Sequence, residues 1–480
     1  MTRDFAFQTY NPGFASDIQT SDCLPVYLLS SDSIAFEDEA FEAIGLRAKT
    51  WIKATRFKGS SGTILLVPDD EGELTGAVLG LGADDEASQD PLVVGALPKR
   101  LPQGHYRLAY TVEDRRDRTR DALAWALGHY RFDRYKAFGS DRVLLRLDDE
   151  IADTEELIAL AKATAFGRDL VSTPANDMTP AHIAEAATAL AKNYNTDCKI
   201  VVGDDLLAEN FPMVHAVGRA SDHAPRLIDF TWGDEENPKV TLVGKGVSFD
   251  SGGLDIKPAA GMLLMKKDMG GAANVLALAS VIMAMELPIR LRVIIPTVEN
   301  AISGSAFRPG DVLPSRSGRT VEIGNTDAEG RLILGDALTL AGDDDPDLIV
   351  DMATLTGASR VALGTDLPSM FSNDETFAAE LQATSMDVAD PLWQLPLWQP
   401  YLKMLDSKIA DINHISSGGY GGAITAALFL STFVSKETRW VHIDLMAYNL
   451  TEKPGKSVGG ETQGMRALYH HLKALYGVRK

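Results

Sequence analysis

The chain has 480 residues, of which 45% are hydrophobic and 24% charged, a globular composition that excludes the disordered and fibrous classes. Lys and Arg total 46 against 67 Asp and Glu, and the formal charge of -21 argues against nucleic-acid partners and anionic membranes. The longest apolar stretches, at residues 275–285 and 423–434, are shorter than the roughly 20 residues that a membrane span needs. Two cysteines and an N-terminus without a basic-then-apolar pattern predict a disulfide-free, cytoplasmic protein.

The first third of the chain alternates short β-rich runs with helical patterns. Helical spacing of apolar residues occurs at residues 40–55 and 122–130. The β-rich runs predict five strands, at residues 26–29, 63–67, 77–81, 107–111 and 143–147. Because strands separated by helices are typical of α/β folds, we predict a small N-terminal α/β domain over residues 1–150.

An acidic cluster at residues 148–156 separates this region from the rest of the chain. It precedes the apolar-periodic stretch 157–171, as expected where negative charge meets the positive end of a helix. The helix should end near residue 172, because the ring of Pro174 disfavours helical geometry in the residue before it. We therefore predict a linking helix over residues 151–172 and a second domain over residues 173–480.

The second domain repeats the strand-then-helix order with more strongly apolar strands. Such strands are typical of a sheet that is covered on both faces. Since strand, helix and strand follow one another, right-handed crossovers between parallel strands are the simplest topology. We thus predict a larger α/β/α domain with a mostly parallel central sheet. The predicted strands are residues 239–243, 290–295, 348–352 and 440–445, and the predicted helices are residues 271–285, 332–341 and 424–434.

Three segments combine acidic residues with glycine at strand ends, where open α/β sheets bind their ligands. These segments are residues 243–253, 265–271 and 325–332. The first superficially resembles a nucleotide-binding loop. It lacks the preceding glycine and the Ser or Thr after the Lys that a phosphate loop needs, and Phe249 stands where the dinucleotide pattern has its third glycine. Both nucleotide interpretations are therefore rejected.

Four carboxylates lie in these loops: Asp250, Asp268, Asp327 and Glu329. Each one alone could cap a helix or be a surface charge, because Asp and Glu are common at helix starts. Together they cannot converge without mutual repulsion unless cations lie among them. Carboxylate-rich sites without Cys or His favour Mg²⁺ or Mn²⁺, and Zn²⁺ also accepts Asp and Glu oxygens. Four acids suit two such ions, which indicates hydrolysis by a metal-activated water.

Basic and histidine side chains complete the set of candidates. Lys257 and Arg331 would supply positive charge for an oxyanion or an anionic co-ligand. The alternative is that they simply pair with the acids. The nine histidines show no metal-ligand spacing, so we interpret His414 and His442 as structural and the pair 470–471 as a surface pair.

At these residues the sequence resembles the leucyl aminopeptidase family, peptidase family M17, whose members are two-metal cytosolic aminopeptidases. The stretches GKGVSFDSGG, IKP, MKKDMGGAA and NTDAEGRL are similar to the family's motifs and occur in the family's order. Further similarity appears in RDLVSTPANDMTP, PGD, ATLTGA and GGAITAALFL. The resemblance implies that residues 173–480 are the catalytic domain of a metallo-aminopeptidase.

The resemblance also implies which residues hold two divalent metal ions, Mn²⁺ or Zn²⁺ with Mg²⁺ as a further candidate. The more tightly bound ion would have as ligands Lys245, Asp250, Asp268 and Glu329. The other would have Asp250, Asp327 and Glu329, with the backbone carbonyl of Asp327 as a further ligand. A lysine ligates only as the neutral amine, so the two cations would have to depress the pKa of Lys245 strongly.

By the same resemblance, a hydroxide that bridges the metals attacks the scissile carbonyl. Lys257 would polarise that carbonyl, and Arg331 would hold a bicarbonate ion that acts as general base. The pocket for the first side chain would be lined by Met265, Thr354 and Gly357.

The resemblance further implies the partners of the protein. Its substrates would be peptides with a free N-terminus, because the α-amine would bind the tighter metal and Asp268. The chain would form a homohexamer, with the N-terminal domain serving assembly or regulation. Two alternatives stay open: a regulatory DNA-binding member of the family and a non-catalytic structural hexamer. Net charge argues against the first, and the complete set of motif residues argues against the second.

Overall fold

The computed structural model describes residues 9–15, 18–85, 89–110, 116–137 and 143–477. Thr111, the predicted end of one strand, lies outside these residues. The described residues form two compact units. The smaller contains the described residues up to Ala165 together with Leu450–Val458, and the larger contains the other described residues. The division along the chain falls inside the helix Thr154–Ser172.

The smaller unit contains a six-stranded sheet. Its strands, in sheet order, are Phe14–Ala15, Val143–Arg146, Gly104–Ala109, Leu24–Leu29, Leu74–Gly80 and Ile64–Pro68. Neighbours are parallel except the last pair, which is antiparallel. Its helices are Ser31–Phe36, Glu39–Ala43, Leu46–Thr55 and Arg118–His129, and its 3-10 helices are Thr20–Asp22 and Val93–Ala96. The predicted α/β class of this region is confirmed.

The single helix predicted over residues 40–55 is two helices in the structure. Ile44 and Gly45 have extended backbone, which separates Glu39–Ala43 from Leu46–Thr55. Glycine favours such a break, because it loses more conformational freedom in a helix than other residues do. Both helices still contribute apolar side chains to one core with the sheet.

The larger unit is built on a nine-stranded sheet. Eight strands form a continuous path in the order Trp393–Gln394, Ser369–Ser372, Arg439–Asp444, Leu348–Ala353, Lys239–Gly244, Arg290–Asn300, Arg226–Trp232 and Cys198–Val202. The ninth, Gly246–Asp250, pairs with the second half of Arg290–Asn300. The central pairs are parallel, whereas one pair near the first edge and the two pairs at the other edge are antiparallel. The predicted mostly parallel sheet is confirmed.

Two groups of helices pack with the central strands of this sheet. The first group is Gly270–Ala284 with Pro180–Asn193 and Met465–Tyr476, and the second is Gly330–Gly342 with Pro212–Gly218 and Gly422–Ser431. The remaining helices of the unit are Asp205–Ala208, Ala259–Met262, Gly357–Leu363 and Glu375–Asp387, with 3-10 helices at Met265–Met269, Thr326–Ala328 and Gln399–Leu405.

The central elements are buried on all sides. Every residue of the strand Leu348–Ala353 is buried, and so is nearly every residue of the helix Gly270–Ala284. A helix that is apolar all round belongs in a protein interior, and a strand without alternation belongs in a doubly covered sheet. These elements therefore form a rigid base for the loops at their ends.

Close backbone contact fixes the start of the helix Gly270–Ala284. A Cβ atom on Gly271 would lie 2.0 Å from the carbonyl oxygen of Met352, so only glycine fits there. The amide of Ala272 also donates to the carbonyl of Lys245 at 2.9 Å. The loop that precedes this helix is thereby held against the ends of two central strands.

Small elements complete the unit. The strands Val312–Pro314, Thr320–Glu322 and Ile412–Asn413 form a three-stranded sheet, and Tyr448–Asn449 pairs with Gly459–Gly460. In the part of the chain that the structure covers, no helix is long and apolar enough to cross a membrane. Both cysteines are free thiols.

Candidate metal centre

The predicted site residues lie where the central strands end and their loops begin. Lys245 directly follows the strand Lys239–Gly244, and Asp250 is the last residue of Gly246–Asp250. Asp268, Asp327 and Glu329 lie on 3-10 helices or at the start of a helix. The fold thus brings three separate loops together beside the carboxyl ends of the central strands.

A glycine turn lets the first loop approach the third. Gly252 has a φ of 89°, in the left-handed region that glycine adopts readily, and its amide donates to Asp250 Oδ1 at 2.8 Å. A Cβ atom built on Gly252 would lie 3.0 Å from Asp327 Oδ1 and 2.5 Å from the carbonyl oxygen of Asp255. A side chain here would therefore force these loops apart.

Three carboxylates form the densest acidic group of the site. One oxygen from each of Asp250, Asp327 and Glu329 lies within 4.8 Å of the others. Burial and the neighbouring carboxylate Asp268 raise the pKa of Asp250 to about 6. Burial and the charge of Asp250 raise the pKa of Glu329 to about 8. Like charges held this close in the interior favour a cation among them.

Asp268 joins this group through Lys245. The Lys245 Nζ lies 2.7 Å from Asp268 Oδ2 and 3.0 Å from Glu329 Oε1, and both side chains are almost fully buried. Although burial opposes its charge, the carboxylates raise the pKa of Lys245 above its ordinary value. Thr354 fixes the other oxygen of Asp268 by donating its hydroxyl to Oδ1 at 2.7 Å.

Lys257 contacts the other two carboxylates of the site, Asp250 and Asp327. Its Nζ lies 2.8 Å from Asp250 Oδ2 and also forms an ion pair with Asp327. Burial opposes its charge, but the carboxylates outweigh burial and raise the pKa of Lys257. This geometry fits the alternative interpretation, in which Lys257 pairs with the acids. The same contacts place its ammonium beside the three-carboxylate group.

Arg331 has no carboxylate partner within ion-pair distance among the described residues. Its Nη1 donates to the carbonyl of His414 at 2.7 Å, and its Nε is buried without a hydrogen-bond partner. Burial lowers the pKa of Arg331 to about 10. The second alternative, that Arg331 pairs with an acid, does not describe this geometry.

Two of the three predicted pocket residues lie close to Asp268, Met265 along the chain and Thr354 in space. Met265 begins the 3-10 helix that contains Asp268 and is half-buried. Thr354 is buried, and its hydroxyl contacts both the side chain and the carbonyl of Asp268. Gly357 is exposed at the first residue of the helix Gly357–Leu363.

Sequence reasoning missed two residues that hold the acids in place. Asn300 Nδ2 donates to Asp250 Oδ1 at 2.8 Å and to the carbonyl of Thr326 at 3.1 Å. Asp255 Oδ2 accepts from the amide of Thr326 at 2.7 Å. The available signal was the position of Asn300, a polar residue at the end of the long apolar strand Arg290–Asn300.

The histidines are structural, with one correction. The His414 ring is buried between the carbonyls of Glu322 and Asn325, and His442 pairs with the buried carboxylate of Asp351 at 2.6 Å. The predicted surface pair at residues 470–471 is wrong for His471, which is 4% exposed. Its ring packs edge-on against a phenylalanine, because the helix Met465–Tyr476 turns this face inward.

The donor set fits divalent cations. The oxygens Asp268 Oδ2, Asp327 Oδ1 and Glu329 Oε1 are buried and accept no hydrogen bond of good geometry, although lysine ammonium groups contact all three. Glu329 occupies the position before the helix Gly330–Gly342, yet its side chain makes no capping hydrogen bond. Helix capping therefore does not explain Glu329, whereas oxygen donors of this kind are the ligands that hard cations prefer.

Comparison with protein families covers most of the chain. Residues 165–469 match the model of the cytosol aminopeptidase family catalytic domain, and residues 24–147 match that of the M17 aminopeptidase N-terminal domain. A probable cytosol aminopeptidase of Geotalea uraniireducens is 34% identical over 467 residues, which are 92% of this chain and 94% of the relative.

Solved structures agree with these matches. A crystal structure of cytosol aminopeptidase from Coxiella burnetii has a TM-score of 0.90 at 43% identity and covers 97% of this chain and 100% of that one. The bottromycin maturation enzyme BotP, solved in complex with Mn, has a TM-score of 0.85 at 32% identity over 95% of this chain and 100% of its own. The family predicted from the motifs is confirmed: the chain belongs to the cytosol aminopeptidase family, peptidase family M17, and is a metallo-aminopeptidase.

Proposed function

We propose that the chain removes the N-terminal residue from peptides by a hydrolysis that depends on two divalent metal ions. The observation that carries this proposal is the three-carboxylate group of Asp250, Asp327 and Glu329, with Asp268 and Lys245 beside it. Mn²⁺ and Zn²⁺ suit these donors, and Mg²⁺ is a further candidate.

In this proposal the two ions share Asp250 and Glu329, and each ion has further ligands. Lys245, Asp250, Asp268 and Glu329 hold one ion, and Asp250, Asp327 and Glu329 hold the other. The carboxylates keep Lys245 charged in the geometry described above, so loading of its ion has to displace the Nζ proton. When bound, such a pair of ions lowers the pKa of a water between them and polarises a carbonyl.

The chain's own residues bind and orient the substrate. The carboxylate of Asp268, fixed by the Thr354 hydroxyl, accepts the free α-amine of the first residue. The Lys257 ammonium, which contacts Asp250 and Asp327, stabilises the developing oxyanion. The Arg331 guanidinium holds a bicarbonate ion, an anion whose chemistry is that of a general base.

Chelation and metal restoration test this function directly. We expect hydrolysis of aminoacyl p-nitroanilides to stop after chelator treatment and to return with Mn²⁺, Zn²⁺ or Mg²⁺. The reason is that the proposed hydrolysis depends on the ions that the carboxylates hold. N-acetylated versions of the same substrates should stay intact, since they have no α-amine for Asp268. Cleavage of acetylated and free substrates at equal rates would contradict the assignment of Asp268. Absence of cleavage with every metal would favour the non-catalytic structural alternative.

Proton linkage gives a second prediction, for chelator-treated protein. Glu329 has a pKa of about 8 when folded, which is raised by burial, against about 4.5 for an exposed Glu. Between these values the folded protein binds more protons than the unfolded one, so its free energy of unfolding falls as pH rises. The decrease is at most about 1.4 kcal/mol per pH unit for one proton.

The apparent Tm of metal-free wild type should therefore fall more steeply between pH 6 and about 8 than that of Glu329→Gln. Asp336, whose pKa burial raises to about 7, is hydrogen-bonded to the backbone of other segments and should titrate alike in both proteins. Differential scanning calorimetry measures the difference, and added Mn²⁺ should remove it for wild type. Parallel Tm curves for the two metal-free proteins would contradict the burial of a titrating Glu329.

Assembly and location belong to the same proposal. The resemblance to the family supports a homohexamer, which sedimentation velocity would distinguish from smaller assemblies. The names of the relatives support action in the cytoplasm on peptides.

A further inference from the structure

Two basic side chains beside the predicted pocket for the first residue have no anionic partner among the residues that the structure describes. Lys267 is 2% exposed, and among the described residues no carboxylate lies within ion-pair distance of its ammonium. Arg360 is half-buried, and its Nη1 is buried without a hydrogen-bond partner. Buried charges are normally paired, so both groups need an explanation.

Both residues lie on the segments that carry the predicted pocket. Lys267 stands between Met265 and Asp268 on one 3-10 helix. Arg360 is one turn into the helix that begins at Gly357, and its Nη2 lies 3.9 Å from where a Cβ of Gly357 would be. The guanidinium therefore lies against Gly357, and the lysine adjoins the proposed acceptor of the α-amine.

None of the charged groups near Lys267 in the described part of the chain forms an ion pair with its ammonium. The charged groups that act on the Lys267 ammonium are the carboxylates of Asp268 and Asp444 and the cations Arg360 and Lys245. Asp268 is already engaged by Lys245 and Thr354. Lys267 and Arg360 are therefore close enough to repel each other electrostatically, and Lys267 is almost fully buried.

Asp444, the other nearby acid, is also occupied. Its Oδ1 accepts from the amide of Leu355, and its Oδ2 accepts from both the amide and the hydroxyl of Thr356. Its hydrogen bonds thus hold the loop before the helix Gly357–Leu363. Neither acid is free to pair with Lys267 or Arg360, and an added anion would find both cations unpaired.

We propose that Lys267 and Arg360 form an anion-binding subsite that takes the carboxylate of an acidic first residue, Asp or Glu. This inference rests on the proposed aminopeptidase function and names its substrate class. The two residues determine specificity by pairing with that carboxylate.

The geometry favours the first side chain over other carboxylates of a peptide. Asp268 accepts the α-amine in the proposed function, and Lys267 is its immediate neighbour in the chain. The first side chain is attached to the same Cα as that amine, so it is the substrate group held nearest to the segment that carries Lys267. The C-terminal carboxylate of a dipeptide is farther along the substrate and leaves with the second residue.

Matched pairs of amides test the proposal. Glu and Gln p-nitroanilides differ in charge at equal size, and they lack a C-terminal carboxylate, so only the first side chain is compared. For the metal-loaded wild type we expect kcat/KM to be at least about tenfold higher for Glu than for Gln. In Arg360→Gln and in Lys267→Met this ratio should fall to about one. The exposed Arg319→Gln serves as a matched control that keeps the wild-type ratio.

Each outcome bears on the inference in a distinct way. A Glu to Gln ratio near one in wild type overturns it, and so does a high ratio that survives in both variants. If Lys267→Met does not fold, the half-exposed Arg360→Gln still decides the question. Failure of all substrates, including those of Leu and Met, refutes the proposed function itself. Cleavage of Leu and Met substrates with no preference for Glu refutes only the anion-binding subsite.

Discussion

Replacement of Glu329 by Gln is expected to abolish hydrolysis, with kcat/KM falling by at least about 10³-fold. Glu329 lies within reach of Asp250 and Asp327 and is contacted by Lys245, so in the proposed function it belongs to both metal sets. An amide has the same size but no charge to offset two cations and offers one oxygen instead of two. The variant should therefore lose metal as well as activity.

Metal content separates this explanation from a folding defect. We expect elemental analysis after dialysis to find fewer ions per subunit in Glu329→Gln than in wild type. The metal-free variant should be at least as stable as metal-free wild type at pH 8, because the amide removes a buried carboxylate that is unfavourable there. Glu380→Gln, an exposed change on the helix Glu375–Asp387, is the matched control. A Glu329→Gln protein with full metal content and full turnover would contradict the assignment.

The framework of the larger unit follows from apolar pattern. The residues of the strands Lys239–Gly244 and Leu348–Ala353 are nearly all apolar and buried. Strands of this kind are covered on both faces, which predicts a position at the centre of a sheet. The edge strand Cys198–Val202 and its neighbour Arg226–Trp232 are not among the predicted strands. They are short or only partly buried, and their antiparallel pairing depends on partners distant in sequence.

The convergence of the acids follows from a different argument. Asp250, Asp268, Asp327 and Glu329 stand at strand ends and helix starts, and charge repulsion among them indicates cations. Lys245 could not be placed among them on physical grounds, because an amine is a poor choice of ligand unless its proton is removed. Its contacts with Asp268 and Glu329 are visible only once the fold brings two loops together.

Supporting residues are the least predictable part of the site. His414 lies far along the chain from the acidic motifs, yet its ring bridges two carbonyls of the loop before Asp327, and its own carbonyl fixes Arg331. Its side chain has neither metal-ligand spacing nor an amphipathic context that marks it. Lys267 lies in the motif MKKDMGGAA, but the sequence alone assigns it no role. Its burial, and the absence of an ion-pair partner for it among the described residues, are visible only in the folded chain.

Lys257→Met is expected to reduce kcat by about 10²–10³-fold with metal content close to that of wild type. The Lys257 ammonium contacts Asp250 and Asp327 but supplies no carboxylate oxygen, so its loss leaves the three-carboxylate group intact. In the proposed function it stabilises negative charge that develops only in the transition state. Loss of such a group lowers kcat and kcat/KM together and leaves KM nearly unchanged.

Steady-state kinetics with a Leu p-nitroanilide, together with elemental analysis, measure both quantities. Lys403→Met, an exposed lysine on the 3-10 helix Gln399–Leu405, is the matched control and should behave as wild type. A variant that keeps full kcat would remove Lys257 from the mechanism. A variant that loses its metals would instead show that Lys257 holds Asp250 and Asp327 in position, because without its charge their mutual repulsion opens the site. The contrast with Glu329→Gln therefore separates the group that stabilises the oxyanion from the group that holds the ions.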